Sequence, residues 1–329
     1  MLGISESIRQ YYLPDLYYVS YPRPKVGINS WLSSGKDYFV KQTSPSGEFS
    51  VSTFQATDFL SSYVFDINRL SCAAFESVCG IGSITTDDKS FGWDLVKLYY
   101  ASFFSAHTIL RIANRGLSNI ETTSISKAQQ IALGYSQNFF GVSSGVYCIE
   151  LDTIKNDVKF VKKNHYSDSH KGLWLKFLHF MEEILADRGA TSITNYVPSD
   201  VAQDTISKIE ELKEAICNHG LMGSWLSKMR NNINYSQGHG TWYPYKELEA
   251  EKLALFGQAE FYNKNPLEIA IRQEKRKEIV YFIKTCQFIV CLCHDMLTDI
   301  ANRNQKNNSF VKDGLLKYLN HLSRKTTQP

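Results

Sequence analysis

Residues 90–116, SFGWDLVKLYYASFFSAHTILRIANRG, set the tightest limit on what this chain can fold into. Wound as a helix, the segment is apolar on nearly every face. Its polar exceptions Thr108, Arg111 and Arg115 lie 11, 14 and 18 positions beyond Lys97, which brings all four back to one narrow stripe at 100° per residue. A helix with so thin a polar stripe is surrounded by other helices. The expected fold class is therefore mainly α, assembled around this segment. His107 falls off the stripe and reads as a satisfied core histidine.

The rest of the chain supplies the surrounding elements. Residues 55–78 have helical periodicity and stop at Gly80. Gly80 and Gly82 lack the third glycine and the Lys-Ser/Thr of a phosphate-binding loop, so GIGSITTDD is expected to be an ordinary connection. Further helices are expected over 124–141, 172–189 with Gly189 as the stop, and 198–220 with Ile206, Ile209, Leu212 and Ile216 as the apolar stripe. A β-hairpin insertion is expected at about 145–163, where GVYCIEL and VKFVKK flank a polar turn. Residues 265–304 begin with Asn265 as cap and Pro266 as first helical residue, run charged, then become apolar. A last helix is expected near 310–323. Residues 1–50 read as an irregular arm of extended segments and turns, because YYLPDLYYVSYPRP at 11–24 is too rich in proline for helix or central strand. Its tyrosines pack on the body of the chain or on a partner protein. The expected division is an arm over 1–50, a helical core over 51–304, and a C-terminal helix and tail over 305–329.

Composition excludes several classes. A net charge of +3 with basic and acidic residues interleaved argues against a strong non-specific binder of long nucleic acid. The seven cysteines have no zinc-finger spacing, and CLCHD at 291–295 lies in an apolar run, so it reads as core rather than metal site. No metal and no cofactor are expected. The N-terminus has no signal-peptide pattern, and no membrane span is expected. A reduced, cytoplasmic setting follows.

The segment MRNNINYSQGHGTWYPY at 229–245 stands apart by its polarity. As a helix over 221–235, Trp225, Leu226, Met229 and Ile233 share one side, while Arg230, Asn231, Asn234 and Tyr235 share the other. SQGHG then ends the helix and a loop carries His239, Trp242 and Tyr243. This polar side is either a solvated face or a phosphate site. For the second, arginine is suited to bidentate phosphate contacts, asparagine to ribose or phosphate oxygens, and tyrosine or histidine to proton transfer.

The pairing of WDLVKLYYASFFSAHTILRIANRG with LSKMRNNINYS about 120 residues later resembles the HEPN superfamily. It is most similar to large bacterial HEPN-like proteins that join a YYASFFSAHxILR helix to an RNxxNY…WYPY segment. The resemblance covers about 55–300. It implies a HEPN-like helical bundle, a homodimer, and a metal-independent endoribonuclease of a defence or toxin–antitoxin system. It also implies RNA as substrate and a second protein encoded nearby. In that chemistry the 2′-OH attacks the adjacent phosphate, the motif Arg holds the phosphate, and a His separated from it by four to six intervening residues moves the proton. Arg230 and Asn231 match the motif. Tyr235 stands where the first permitted His would be, and His239 lies beyond the window. An unperturbed tyrosine, with a pKa of about 10, is a poor general base near neutrality. The expected catalytic set is Arg230, Asn231, Tyr235 and His239, with Asn234, Trp242 and Tyr243 binding substrate. The alternative is a catalytically degenerate HEPN-like scaffold, sensor or regulator that binds a partner or a nucleotide.

Overall fold

The computed structural model describes residues 3–22, 26–44, 46–79, 81, 90–135, 137, 139, 141–162, 169–187, 197–243, 261–272, 277–304 and 308–326. In chain order the helices are α1 (Ile4–Ser7), α2 (Ile28–Ser34), α3 (Ala56–Val78), α4 (Gly92–Ile112), α5 (Thr122–Gly134), α6 (Ser169–Ala186), α7 (Ser199–Ile216), α8 (Trp225–Asn234), α9 (Glu278–Arg303) and α10 (Lys317–Thr326). The strands are β1 (Tyr38–Thr43), β2 (Phe49–Thr53), β3 (Gly116–Ile120), β4 (Gly145–Asp152) and β5 (Asp157–Lys162). The protein is mostly helical with a five-stranded antiparallel sheet in the order β1-β2-β5-β4-β3.

α4 is the central helix, packed by α3, α9, α8, α6 and β3. Its apolar faces are closed by these neighbours, as its composition requires. The four-residue polar stripe does not face water as a unit. Lys97 is exposed, but Thr108 and Arg111 are buried, and Arg115 lies past the helix in an ion pair with Glu183 on α6. The helix ends earlier than its periodicity predicts. Asn114 takes a left-handed φ of 56° and its side chain bonds both Leu151 backbone groups, at 2.8 and 2.9 Å. That clamp turns the chain into β3, a strand that begins at the last residue of the expected helix and that the sequence does not announce.

The sheet is the main departure from expectation. The 145–163 hairpin is present as β4 and β5, but it is the middle of a sheet rather than an insertion. β5 pairs with β2, with Phe49 opposite Phe160 and their rings stacked at 4.5 Å. A boundary at residue 50 would cut β2 in two. Buried Tyr38 and Val40 on β1, with buried Phe49 and Val51 on β2, place both strands in the core sheet.

The first residues of the arm likewise belong to the body. Ile4, Ile8, Leu13 and Leu16 are buried. Residues 9–11 and 14–18 form 3-10 turns rather than extended chain. α1 lies on α7 and α9; Ser5 N–H donates to Asp295 at 2.9 Å, and Arg9 pairs with Asp299 at 2.6 Å.

Three other boundaries shift. α5 starts at Thr122 and ends at Gly134 rather than spanning 124–141. Asn265 does cap, accepting from Leu267 N–H at 3.0 Å, but it opens only a 3-10 turn over Pro266–Glu268, and α9 begins at Glu278. Gly80, Gly82 and Gly189 lie outside the described residues, as do 244–260.

α9 is long and apolar enough to cross a membrane, yet 83% of its most apolar window is buried inside the fold. It is a core helix. Cys286, Cys291 and Cys293 are fully buried within it, as CLCHD predicts. Among the described residues, no group of three or more His, Cys, Asp or Glu could hold a metal ion.

His294 on α9 sits between the edges of Phe75 and Tyr262, at 5.7 and 5.4 Å. Burial pulls its pKa down to about 4. The unfolded chain, with an ordinary histidine near 6.5, then binds more protons than the folded chain between those values. This contribution is complete above pH 6.5 and is lost progressively as pH falls toward 4, by about 3 kcal/mol. Urea unfolding across pH 4–7 is expected to show a shallower acid loss in His294→Phe than in the parent. Equal slopes would refute the assignment.

Candidate functional site: an arginine held among tyrosines

α8 forms with its expected faces. Trp225, Leu226, Met229 and Ile233 are buried, and the Trp225 ring packs on Tyr281 and Phe282 of α9 at 5.2 and 6.3 Å. Arg230 and Asn234 are half-buried, and Asn231 and Tyr235 are exposed. The apolar side thus anchors a short helix that would be marginal by itself.

Arg230 reaches back to α4. Its guanidinium lies 5.4 Å from the centre of the Tyr99 ring, 5.8 Å from Tyr100 and 6.0 Å from Tyr235. Three ring faces hold the cation by their quadrupoles, each worth about 0.5–2 kcal/mol. No carboxylate among the described residues pairs with it, and its buried Nε has no hydrogen-bond partner. The rings fix the cation in place, and no described carboxylate neutralises it.

Below it, the Tyr99 hydroxyl is a hub. Trp174 Nε1–H donates to it at 3.2 Å, and it lies 2.9 Å from His170 Nδ1 and 3.0 Å from Ser227 Oγ. Burial raises the Tyr99 pKa, against the opposing pull of Ser227, Trp174 and Arg230, so the phenol keeps its proton. The His170 ring packs against Phe103 at 4.3 Å and also against Tyr99 and Tyr100. Arg230 and His170 therefore share two aromatic neighbours.

The loop after α8 runs the other way along α4. Gln237 and His239 take left-handed φ values of 51° and 65°. Trp242 Nε1–H donates to Ile233 O at 2.6 Å, and Thr241 O accepts from Gly92 N–H at 3.2 Å. A Cβ on Gly92 would collide with the Trp242 ring, so glycine is what permits this approach. Tyr243 N–H donates to Ser90 Oγ at 2.6 Å. The loop is thus pinned at the start of α4, two helical turns or about 11 Å from Tyr99 and Tyr100.

The expected residues are only partly brought together. Arg230 and Tyr235 meet directly. His239 makes no hydrogen bond or ring contact with either. Trp242, expected to bind substrate, has its N–H committed to the end of α8 and packs edge-on against Trp93 at 5.6 Å. Tyr243 remains open, 75% exposed, as do Tyr235 at 72% and Trp93 at 59%. The histidine nearest to the arginine's tyrosines is His170, which sequence reading did not select. It stands just ahead of the expected helix start at 172, and nothing local marks it. Tyr99 and Tyr100 had a signal: two adjacent phenols in an otherwise apolar core helix.

Comparison of the chain with protein-family models, curated proteins and solved structures yields no match. The class that the fold defines is a mainly α protein with a five-stranded antiparallel sheet, carrying an arginine in an aromatic cage.

Proposed function

We propose that this chain is a HEPN-like, metal-independent endoribonuclease of a bacterial defence or toxin–antitoxin system, working as a homodimer on single-stranded RNA. The observation that carries the reading is the Arg230 guanidinium, caged by Tyr99, Tyr100 and Tyr235 with no carboxylate partner among the described residues. A planar cation held in this way suits bidentate contact with a phosphate. The exposed rings of Tyr235, Tyr243 and Trp93 suit stacking of unpaired bases, at about 1–3 kcal/mol per base.

In this reaction the ribose 2′-oxygen forms a bond to the adjacent phosphorus and the P–O5′ bond breaks. The products are a 2′,3′-cyclic phosphate and a 5′-hydroxyl. One group takes the 2′-OH proton and another supplies a proton to O5′. His170 is the best-placed imidazole for this exchange, oriented by the Tyr99 hydroxyl. Arg230 stabilises the charge that grows on the phosphoryl oxygens.

Incubating the protein with total RNA in excess EDTA is expected to give fragments ending in cyclic phosphate. His170→Ala is expected to slow cleavage by about 10²–10⁴-fold, and Tyr235→Phe by only a few fold. A second reading is favoured by one observation: Tyr235 holds the motif position and His239 does not join Arg230. That reading is a degenerate scaffold that binds RNA or a partner encoded nearby without cleaving. RNA binding lost in Arg230→Ala, with no cleavage by the parent, would select it.

A further inference from the structure

A cleft of about 540 Å³ lies between α2, α3, α4 and β3. It is separate from the Arg230 cage: Phe103 stands between them, with its ring 4.9 Å from His107 in the cleft and 4.3 Å from His170 in the cage. Its size falls within the range of small-molecule sites.

The floor holds Arg111, only 2% exposed. One guanidinium nitrogen donates to Leu117 O at 2.7 Å and Ser118 Oγ at 2.8 Å, and another to His107 O at 3.2 Å. Nε is buried with no hydrogen-bond partner among the described residues, which is unfavourable while it stays so. No carboxylate makes an ion pair with Arg111 among the described residues. The nearest charge compensation is Asp66, buried, and it is already bonded to Arg69 Nε at 2.6 Å. Two guanidinium groups share one carboxylate, so the floor carries an excess positive charge. Glu121 stands exposed at the rim.

His107 adds to this bias. Its Nδ1 lies 3.3 Å from an Arg111 nitrogen that only donates, so Nδ1 accepts and a neutral ring carries its proton on Nε2. Burial and Arg111 hold the ring in that neutral form. The polar floor is thus rich in donors and poor in acceptors. Phe65, Phe103, Leu70 and Val146 supply apolar wall.

We propose that this cleft binds a small organic oxyanion, a phosphate or carboxylate on a flat or aliphatic body, with Arg111 and Arg69 taking the charge. The site is independent of the RNA reading and survives its failure.

The test is calorimetric titration of the full chain with adenosine and guanosine monophosphates, with aromatic and aliphatic carboxylates, and with inorganic phosphate. At least one organic probe is expected to saturate below about 1 mM and to bind more tightly than phosphate. The nucleotide and carboxylate arms identify which oxyanion the site prefers. Arg111 also holds β3, so the variants are Arg69→Ala, whose side chain is mostly exposed, and Val146→Trp, which fills the cleft. Each is expected to weaken binding at least tenfold with unchanged circular dichroism, while Arg230→Ala leaves it intact. No saturation by any organic probe, or binding indifferent to both cleft variants, would overturn the proposal.

Discussion

Arg230→Ala is expected to lower kcat/KM for RNA cleavage by at least about 100-fold while shifting the melting temperature by no more than a few degrees. The first figure is what loss of a single preorganised charge donor costs when it acts on the transition state. The second follows from what Arg230 does in the folded chain. Among the described residues it makes no ion pair and no hydrogen bond, and touches its surroundings through three ring faces. Removing it forfeits those contacts but also removes an unpartnered buried Nε, so the two effects oppose each other. Arg230→Lys sharpens the test. Lysine keeps the charge but has no planar fork, so it is expected to recover little of the rate. Cleavage at parental rate in Arg230→Ala would remove the arginine from the chemistry altogether.

The largest effect on stability is expected at Trp225. Trp225→Ala is expected to cost about 3–5 kcal/mol in guanidinium unfolding, as for a fully enclosed large side chain. Its ring is 1% exposed, lies against Tyr281 and Phe282, and is the first residue of a ten-residue helix. α8 has no other large aromatic anchor. The loss therefore loosens the helix that presents Arg230, and RNA binding is expected to fall with it. Trp225→Phe, which retains most of the contact, separates packing from the Nε1–H donated to Glu278 at 3.4 Å. A cost below about 1 kcal/mol for the alanine variant would show that α8 is held elsewhere.

What the sequence discloses is local. The faces of α3, α4, α7 and α8 are legible because apolar spacing along a helix is a property of neighbouring residues. The polar side of α8 is legible for the same reason, and Arg230 projects from it as the spacing predicts. The sheet was mostly hidden. β1 and β2 sit in a Ser-rich stretch whose alternation is short, and β3 follows directly on a long helical run. What stops that run is an asparagine clamped onto Leu151, 37 positions away. The cage was half hidden for a similar reason. Arg230 was visible, but Tyr99 meets His170 across 71 positions and Ser227 across 128. No motif of a few residues encodes such distances. The composition of the arm misled in another way: its prolines suggested extended segments, whereas residues 9–11 and 14–18 wind into 3-10 turns and Ile4, Ile8 and Leu16 are packed into the body.

The clasp between α1 and α9 has a consequence for how the protein is made. Ser5 and Asp295 are 290 positions apart, so at ordinary rates of synthesis the first segment waits about 15–60 s for its binding surface. A shorter delay, about 3–11 s, governs α8, because Tyr281 and Phe282 leave the ribosome after Trp225. Nascent chains halted before residue 278 have neither the clasp nor the anchor, and their Ile4, Ile8 and Leu16 stay uncovered. Such chains are candidates for chaperone capture, and the Arg230 cage is not secured beside the translating ribosome until the last long helix is delivered.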